Sequence, residues 1–207
     1  MVTLHDYWRS SASYRLRIAM GLAGMEWEAG TVDLQAGAQT SEAHMSRNPQ
    51  GLVPVLEIDG HSFAQSLSIL EYLDETRDLG RLPKDPAGRQ AVRALSYAIA
   101  MEIHPVCNLR VAKHAVAASG GAITMQGWMQ AFIGPGLAAF EAMLDGGDFC
   151  YGGGVTMADI CLVPQLYNAR RWGLDLSPFA RLTEIEARCL ALPAFDAARP
   201  ETQPDAA

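Results

Sequence analysis

The opening of the chain leaves little choice of local structure. Val2 to Tyr7 is a short, apolar, β-prone run. It leads directly into Trp8-Arg9-Ser10-Ser11-Ala12-Ser13-Tyr14-Arg15-Leu16-Arg17-Ile18-Ala19, where Leu16, Ile18, Ala19 and Leu22 set the apolar spacing of a helix. Two adjacent serines therefore stand at a strand-to-helix turn. Serine is a favoured N-cap because its oxygen accepts a hydrogen bond from a free N–H of the first helical turn. The same N–H groups, with the positive end of the helix dipole, favour a bound anion such as a thiolate.

The next elements extend this start. Trp27 to Val32 reads as a second strand. Pro54 to Ile58 and His61 to Ala64 flank Asp59-Gly60, a strong hairpin signal. Ser66 to Thr76 follows as an amphipathic helix with Leu67, Leu70 and Leu73 on one stripe. The order is β-α-β, a poorly defined region, then β-β-α. That order gives an α/β, thioredoxin-like N-terminal domain over residues 1–80. The breaker-rich stretch 81–88 reads as a linker. Beyond it every segment is helical, at 89–118, 123–144, 156–171 and 182–190, so residues 89–207 form an all-α C-terminal domain. The polar end, 199–207, reads as a loose tail. Thr156 and Asp159 stand at N-cap and N3 of a helix start, with Val155 and Ile160 as the hydrophobic staple. Gly152-Gly153-Gly154 lacks the Gly-Lys-Ser/Thr of a phosphate loop and reads as a turn.

Charge and composition remove several classes of function. The formal net charge is −7, from 16 basic and 23 acidic residues, which argues against nucleic acid as a bulk electrostatic partner. A local basic pocket for a small anion remains compatible with it. No apolar run approaches the roughly 20 residues of a membrane span, so no membrane association is expected. The N-terminus has no signal-like apolar segment. Cys107, Cys150, Cys161 and Cys189 have no CxxC spacing, so neither a metal site nor a disulfide framework is expected. A reducing cytoplasm fits, with the thiols serving as buried small hydrophobes.

Two further segments carry chemistry. In Asn48-Pro49-Gln50-Gly51-Leu52-Val53-Pro54-Val55-Leu56, a proline opens an apolar strand, which confines it to an edge or a special position. With a cis Pro54, Val53 presents its N–H and C=O outward, and a short peptide can pair with them as an added strand. An ordinary edge strand is the equal alternative. Gln65-Ser66 stands where the hairpin meets the next helix. Ser66 fits an N-cap, and its N–H and hydroxyl equally fit a carboxylate at a helix N-terminus, with Gln65 adding an amide.

These pieces, in this order, resemble a glutathione transferase. Arg-Ser-Ser-x-Ser-x-Arg-x-Arg-Ile-Ala, Asn-Pro-x-x-x-Val-Pro and Gln-Ser-x-x-Ile-x-Glu-Tyr-Leu look like the zeta class. Thr156-Met-Ala-Asp159, Leu162-Val-Pro-Gln165 and Asn168-Ala-Arg-Arg171 extend the likeness over nearly the whole chain. The resemblance implies the glutathione transferase fold, glutathione as cofactor, a homodimer, and cis–trans isomerisation of a maleyl dicarboxylate. It further implies that Ser10, with Ser11 second, stabilises the glutathione thiolate. Val53 and Pro54 then meet the cysteinyl part, Gln65 and Ser66 the γ-glutamyl carboxylate, and Gln39 the glycine end. His104 and Asn108 join the glutathione contacts. Where the zeta pattern commonly reads Ser-Ser-Cys, this chain has Ala12. No protein thiol stands at that position, which weakens a thiol–disulfide reading and leaves isomerase chemistry intact.

The acidic substrate brings in the arginines. Arginine grips a carboxylate bidentately and is always charged. Arg9, beside the serine turn, reads as a catalytic and substrate-binding group, and Arg110 and Arg171 as further substrate contacts. Each is balanced against a solvated or ion-paired surface arginine. Arg15, Arg17 and Arg170 read as structural. His104 and Asn108, i and i+4, share a face if their helix is regular, and Pro105 distorts it there. Arg110 with His104 resembles the bacterial maleylpyruvate isomerases, which puts maleylpyruvate ahead of maleylacetoacetate. The rival functions are a glutathione transferase or dehalogenase of small halo-acids, and a non-catalytic module of the same fold.

Overall fold

The first strand and helix form where the apolar pattern places them. Thr3–Asp6 is β1 and Ser11–Leu22 is α1. A computed structural model describes residues 1–206. After α1 come β2 (Glu28–Thr31), a short α2 (Glu42–Arg47), β3 (Val55–Ile58), β4 (His61–Ala64) and α3 (Ser66–Arg77). The four strands lie in the order β2-β1-β3-β4, with β1 parallel to β2 and antiparallel to β3, and β3 antiparallel to β4. Asp59 and Gly60 both take positive φ, 53° and 78°, which is the backbone a two-residue hairpin of this twist needs. This is the thioredoxin-like arrangement.

One expectation changes here. Pro54 does not open an edge strand: β3 lies between β1 and β4. Pro54 precedes the first ladder residue, Val55, which faces His5 on one side and Ala64 on the other. A proline there removes no ladder hydrogen bond, so the special-position alternative holds.

The chain divides into two compact units, residues 1–79 with the segment from 191 onward, and residues 80–190. The end of the chain is therefore not a loose tail. α10 (Pro193–Ala197) packs against α1, Phe195 is fully buried, and Trp8 N donates to Asp205 Oδ2 at 3.1 Å. Within the stretch 199–207 that read as loose, Pro200 is buried and the Asp205 carboxylate is the group that accepts from Trp8 N.

Within the first unit, Ser11 to Met20 are all buried. Burying a whole helix forces its polar side chains to find partners. Arg17 Nη1 donates to Asp6 Oδ2 at 2.6 Å, Nη2 to the Trp8 carbonyl at 2.8 Å, and Nε to the Ala198 carbonyl at 3.1 Å. The sequence reading of Arg17 as structural stands.

The second unit is helical throughout its regular elements. α4 (Pro86–Tyr97) starts inside the expected linker, because Asp85 caps it by accepting from Gly88 N at 2.7 Å and Pro86 suits the first turn. The expected long helix 89–118 is broken. A π-helical turn (Ala98–Ile103), a short α5 (His104–Val106) and α6 (Leu109–Ala118) replace it. Pro105 has no N–H to give, and the His104 N–H reaches back to Ile99 O, the wider π spacing. α7 (Met125–Ala142) comes close to this turn. A Cβ on Gly136 would stand 2.5 Å from Ile103 Cγ1, so only glycine fits. α8 (Met157–Arg171) is the buried centre of the unit, with α9 (Ala180–Leu190) beside it. Its capping box forms as expected. Asp159 Oδ2 accepts from Thr156 N at 2.7 Å and from Thr156 Oγ1 at 2.8 Å, and Oδ1 accepts from Cys150 N at 2.8 Å.

The Asp6–Arg17 pair yields a stability prediction. Asp6→Ala leaves a guanidinium buried without its carboxylate, and is expected to cost about 3–5 kcal/mol. Urea denaturation followed by circular dichroism measures it. A loss below about 1 kcal/mol, typical of an exposed pair, would show that the buried contact carries no such weight.

Candidate functional site

Trp8 and Arg9 turn the chain from β1 into α1, and the Ser10 N–H donates to the Tyr7 carbonyl at 2.9 Å to close that turn. Ser10 is the N-cap, with an extended backbone (φ −68°, ψ 118°), and its Oγ accepts from Ser13 N at 3.2 Å. That bond leaves the hydroxyl proton unused. Ser11 is the first residue of α1 and is buried, so Ser10 is the more accessible of the two.

Arg9 is half-buried and held from two sides. Its guanidinium lies 4.5 Å from the Trp8 ring centroid, and Nη2 donates to the Tyr7 hydroxyl at 3.0 Å. Gln35 Nε2 donates to the same hydroxyl at 3.0 Å. Burial pushes the Tyr7 phenol up, yet the hydrogen bonds from Gln35 and Arg9 outweigh it and hold it below its ordinary range. Arg9 Nε is buried with no hydrogen-bond partner among the described residues. The sequence did not single out Tyr7 or Gln35. Only their convergence on one oxygen marks them.

The Val53–Pro54 peptide is cis. Val53 is half-buried at the end of a turn built by Asn48, whose Oδ1 accepts from Gln50 N at 3.1 Å and whose Nδ2 donates to Leu52 O at 2.8 Å. Gln39 lies in a 3-10 turn (Ala38–Thr40), half-buried, with an amide oxygen that has no partner among the described residues.

At the start of α3 the expected cap moves by one residue. Gln65, not Ser66, is the N-cap, at a positive φ of 70°. Gln65 Nε2 donates to Gln50 Oε1 at 2.6 Å, tying the helix start to the Asn48 turn. Ser66 is the first residue of α3, and its Oγ accepts from Arg15 Nη1 at 3.1 Å. A side chain drawn back to accept from a buried arginine is not placed to cap its own helix. Arg15 thus ties α1 to the start of α3.

His104, Asn108, Arg110 and Arg171 belong to the second unit. His104 and Asn108 do not share a helical face. His104 is half-buried in α5, and Asn108 is the extended N-cap of α6, its Oδ1 accepting from Arg110 N at 3.0 Å. The helical run ends after Val106, and the extended backbone of Asn108 (φ −63°, ψ 136°) separates them. Arg110 is exposed on the first turn of α6, and Arg171 is exposed at the end of α8, its guanidinium 5.1 Å from the Trp172 ring. Arg170 pairs bidentately with the buried Glu186, as a structural arginine does.

The glutathione S-transferase N-terminal domain family matches residues 1–75, and the C-terminal domain family matches residues 127–199. The chain belongs to the glutathione S-transferase family. It is 57% identical over 203 residues to a maleylacetoacetate isomerase of Rhizobium meliloti strain 1021, covering 96% of this chain and 95% of that protein. The fold matches a holo maleyl pyruvate isomerase, a bacterial zeta-class transferase, with a TM-score of 0.94 and 38% identity over 99% of this chain and all of that one. It also matches a maleylacetoacetate isomerase of Anaeromyxobacter dehalogenans with glutathione in its active site, at a TM-score of 0.90 and 42% identity over 100% of this chain and 98% of that one.

The protein thiols stand apart from this chemistry. All four cysteines are buried and lie in the second unit. Burial pushes Cys107 up to about 11. Burial, with nearby Asp159, raises Cys150 and Cys189 further. Among the described residues no group of His, Cys, Asp and Glu is arranged to hold a metal ion, and no helix is long and apolar enough to cross a membrane. Native protein at neutral pH is expected to take up no iodoacetamide, and denatured protein to take it up at all four cysteines. Mass spectrometry reads the difference, and rapid native labelling would reopen a thiol–disulfide function.

Proposed function

We propose that this protein is a glutathione-dependent cis–trans isomerase that converts a maleyl dicarboxylate to its fumaryl isomer. The observation that carries the reading is the pairing of a half-buried N-cap serine at the start of a buried helix, its hydroxyl proton unused by the cap, with an adjacent guanidinium whose Nε has no partner among the described residues. One favours a thiolate and the other a carboxylate or developing oxyanion.

The donor set fits glutathione. Ser10 and the first N–H groups of α1 hold the sulfur as an anion, with Ser11 behind them. Val53, before Pro54, offers backbone groups to the cysteinyl part. Gln65 and Ser66 meet the γ-glutamyl carboxylate, and the Gln39 amide, donating from Nε2, takes the glycine end. When bound, glutathione supplies a thiolate that adds reversibly to the cis double bond and departs after rotation, so it is not consumed. Arg9 grips a substrate carboxylate and stabilises negative charge that develops on the neighbouring carbonyl oxygen. Tyr7 and Trp8 hold that guanidinium in place. Arg110 and Arg171 are the second unit's candidates for the substrate's carboxylates. His104 remains a candidate glutathione contact. Asn108 is a weaker one, since its side chain caps α6.

Both maleyl acids stay in the reading. Arg110 and His104 favour maleylpyruvate, and 57% identity to a maleylacetoacetate isomerase adds weight to maleylacetoacetate. We further propose a cytoplasmic homodimer, in which Tyr97 and Met101, exposed in the single chain, are covered. Light scattering at twice the single-chain mass supports that state.

Activity is expected to need glutathione in catalytic, not stoichiometric, amount. Decay of maleylpyruvate and of maleylacetoacetate absorbance, each with and without glutathione, measures this. Equal rates in both would sink the isomerase, and glutathione loss matching turnover would indicate a conjugating transferase instead. Arg9→Ala is expected to lower kcat/KM by roughly 100-fold, the usual loss for removing one charged stabiliser of a developing anion. Arg110→Ala and Arg171→Ala are expected to raise KM if those side chains meet the substrate.

A further inference from the structure

α1 carries two fully buried arginines two positions apart, and they do different work. Arg17 gives its donors to Asp6, Trp8 and Ala198, all within the framework. Arg15, 2% exposed, instead reaches across to α3 and donates from Nη1 to Ser66 Oγ at 3.1 Å in a buried hydrogen bond. A guanidinium carries only donors. The contact therefore fixes the serine oxygen as its acceptor. The hydroxyl proton points away from Arg15, which leaves it available to donate to a ligand.

Two further features mark the same spot, one of them another donor. Ser66 is the first residue of α3, so its own N–H has no intrahelical acceptor. Gln65 sits at a φ of 70°, in the left-handed region that non-glycine residues avoid, and its amide is held by Gln50 at 2.6 Å. The chain thus maintains an unfavourable backbone at the point where α3 begins. A donor-only surface with a cation one hydroxyl behind it suits a carboxylate.

We propose that Arg15 is a positioning residue for the γ-glutamyl carboxylate of bound glutathione, acting through Ser66 from inside the core. It fixes the polarity of the Ser66 hydroxyl and adds positive charge behind it without touching the ligand. This rests on the assignment of Ser66 to that carboxylate made above, and the test separates the two.

Isothermal titration calorimetry of the full-length protein with two probes provides that test. One is glutathione, and the other is γ-aminobutyryl-cysteinyl-glycine, which lacks only the α-carboxylate of the glutamyl unit. The wild type is expected to prefer glutathione by roughly 10- to 100-fold, the range for a hydrogen-bonded charge. Arg15→Met and Ser66→Ala are each expected to cut that preference about tenfold, and the double variant to cut it no further. A purely structural role for Arg15 lowers stability, or weakens both probes alike, and leaves the preference unchanged. If Arg15→Met keeps the preference while Ser66→Ala loses it, the role of Arg15 is overturned and that of Ser66 stands. If the wild type shows no preference, or Ser66→Ala retains it, the assignment of Ser66 falls and the inference falls with it. Should Arg15→Met not fold, Arg15→Gln removes the charge, can accept as well as donate, and is read in the same way.

Discussion

Arg17 is the contact on which the first unit turns. Its side chain is 1% exposed, and a charge so buried is tolerated only when its donors are satisfied. Asp6 supplies the counter-charge from β1, Trp8 a carbonyl from the β1–α1 turn, and Ala198 a carbonyl from the end of the chain. One guanidinium therefore fixes the register of strand, turn and helix together and brings the C-terminal segment into the unit. The serine turn inherits its rigidity from this arrangement, since Ser10 lies between Trp8 and the helix that carries Arg17.

α1 has two roles that its sequence interleaves. Its N-terminus offers Ser10 and free N–H groups to an anion, while its interior sends Arg15 to Ser66 and Arg17 to the framework. Both starts of the helices that flank the proposed glutathione site are thereby connected by side chains of one element. Arg9 belongs to neither role. It lies against Trp8 and Tyr7, outside the buried helix, with unused hydrogen-bonding capacity. That capacity is what distinguishes it from Arg17 and Arg170, whose donors meet carboxylates inside their own units.

Features controlled by neighbours in sequence were legible from the residues. Asp59-Gly60 marked its hairpin because both residues must take positive φ. Thr156 and Asp159 marked the start of α8 because a capping box closes within one turn. The bounds of α1 followed from its apolar spacing. Features that depend on distant partners were not legible in this way. Pro54 looked like an edge residue, yet it stands just outside the ladder of a central strand. The segment 89–118 looked like one helix, yet it is α4, a π turn before Pro105, α5 and α6 in succession, and the extended backbone at Asn108, between the last two, separates that residue from His104. The polar stretch 199–207 looked loose, and the buried Pro200 and the Asp205 carboxylate, which accepts from Trp8 N, tie it to the first unit.

The sequence alone determined the order of the strands, the family and the residue types of the proposed glutathione site, because short-range pattern and motif spacing encode them. Tertiary structure decided what each polar side chain does. Arg15, Arg17 and Arg9 lie within one short stretch and are chemically identical. They part into a link to Ser66, a framework hub and a cation with an unpartnered Nε among the described residues only because burial and the nearest acceptor differ for each, and those are properties of the folded chain.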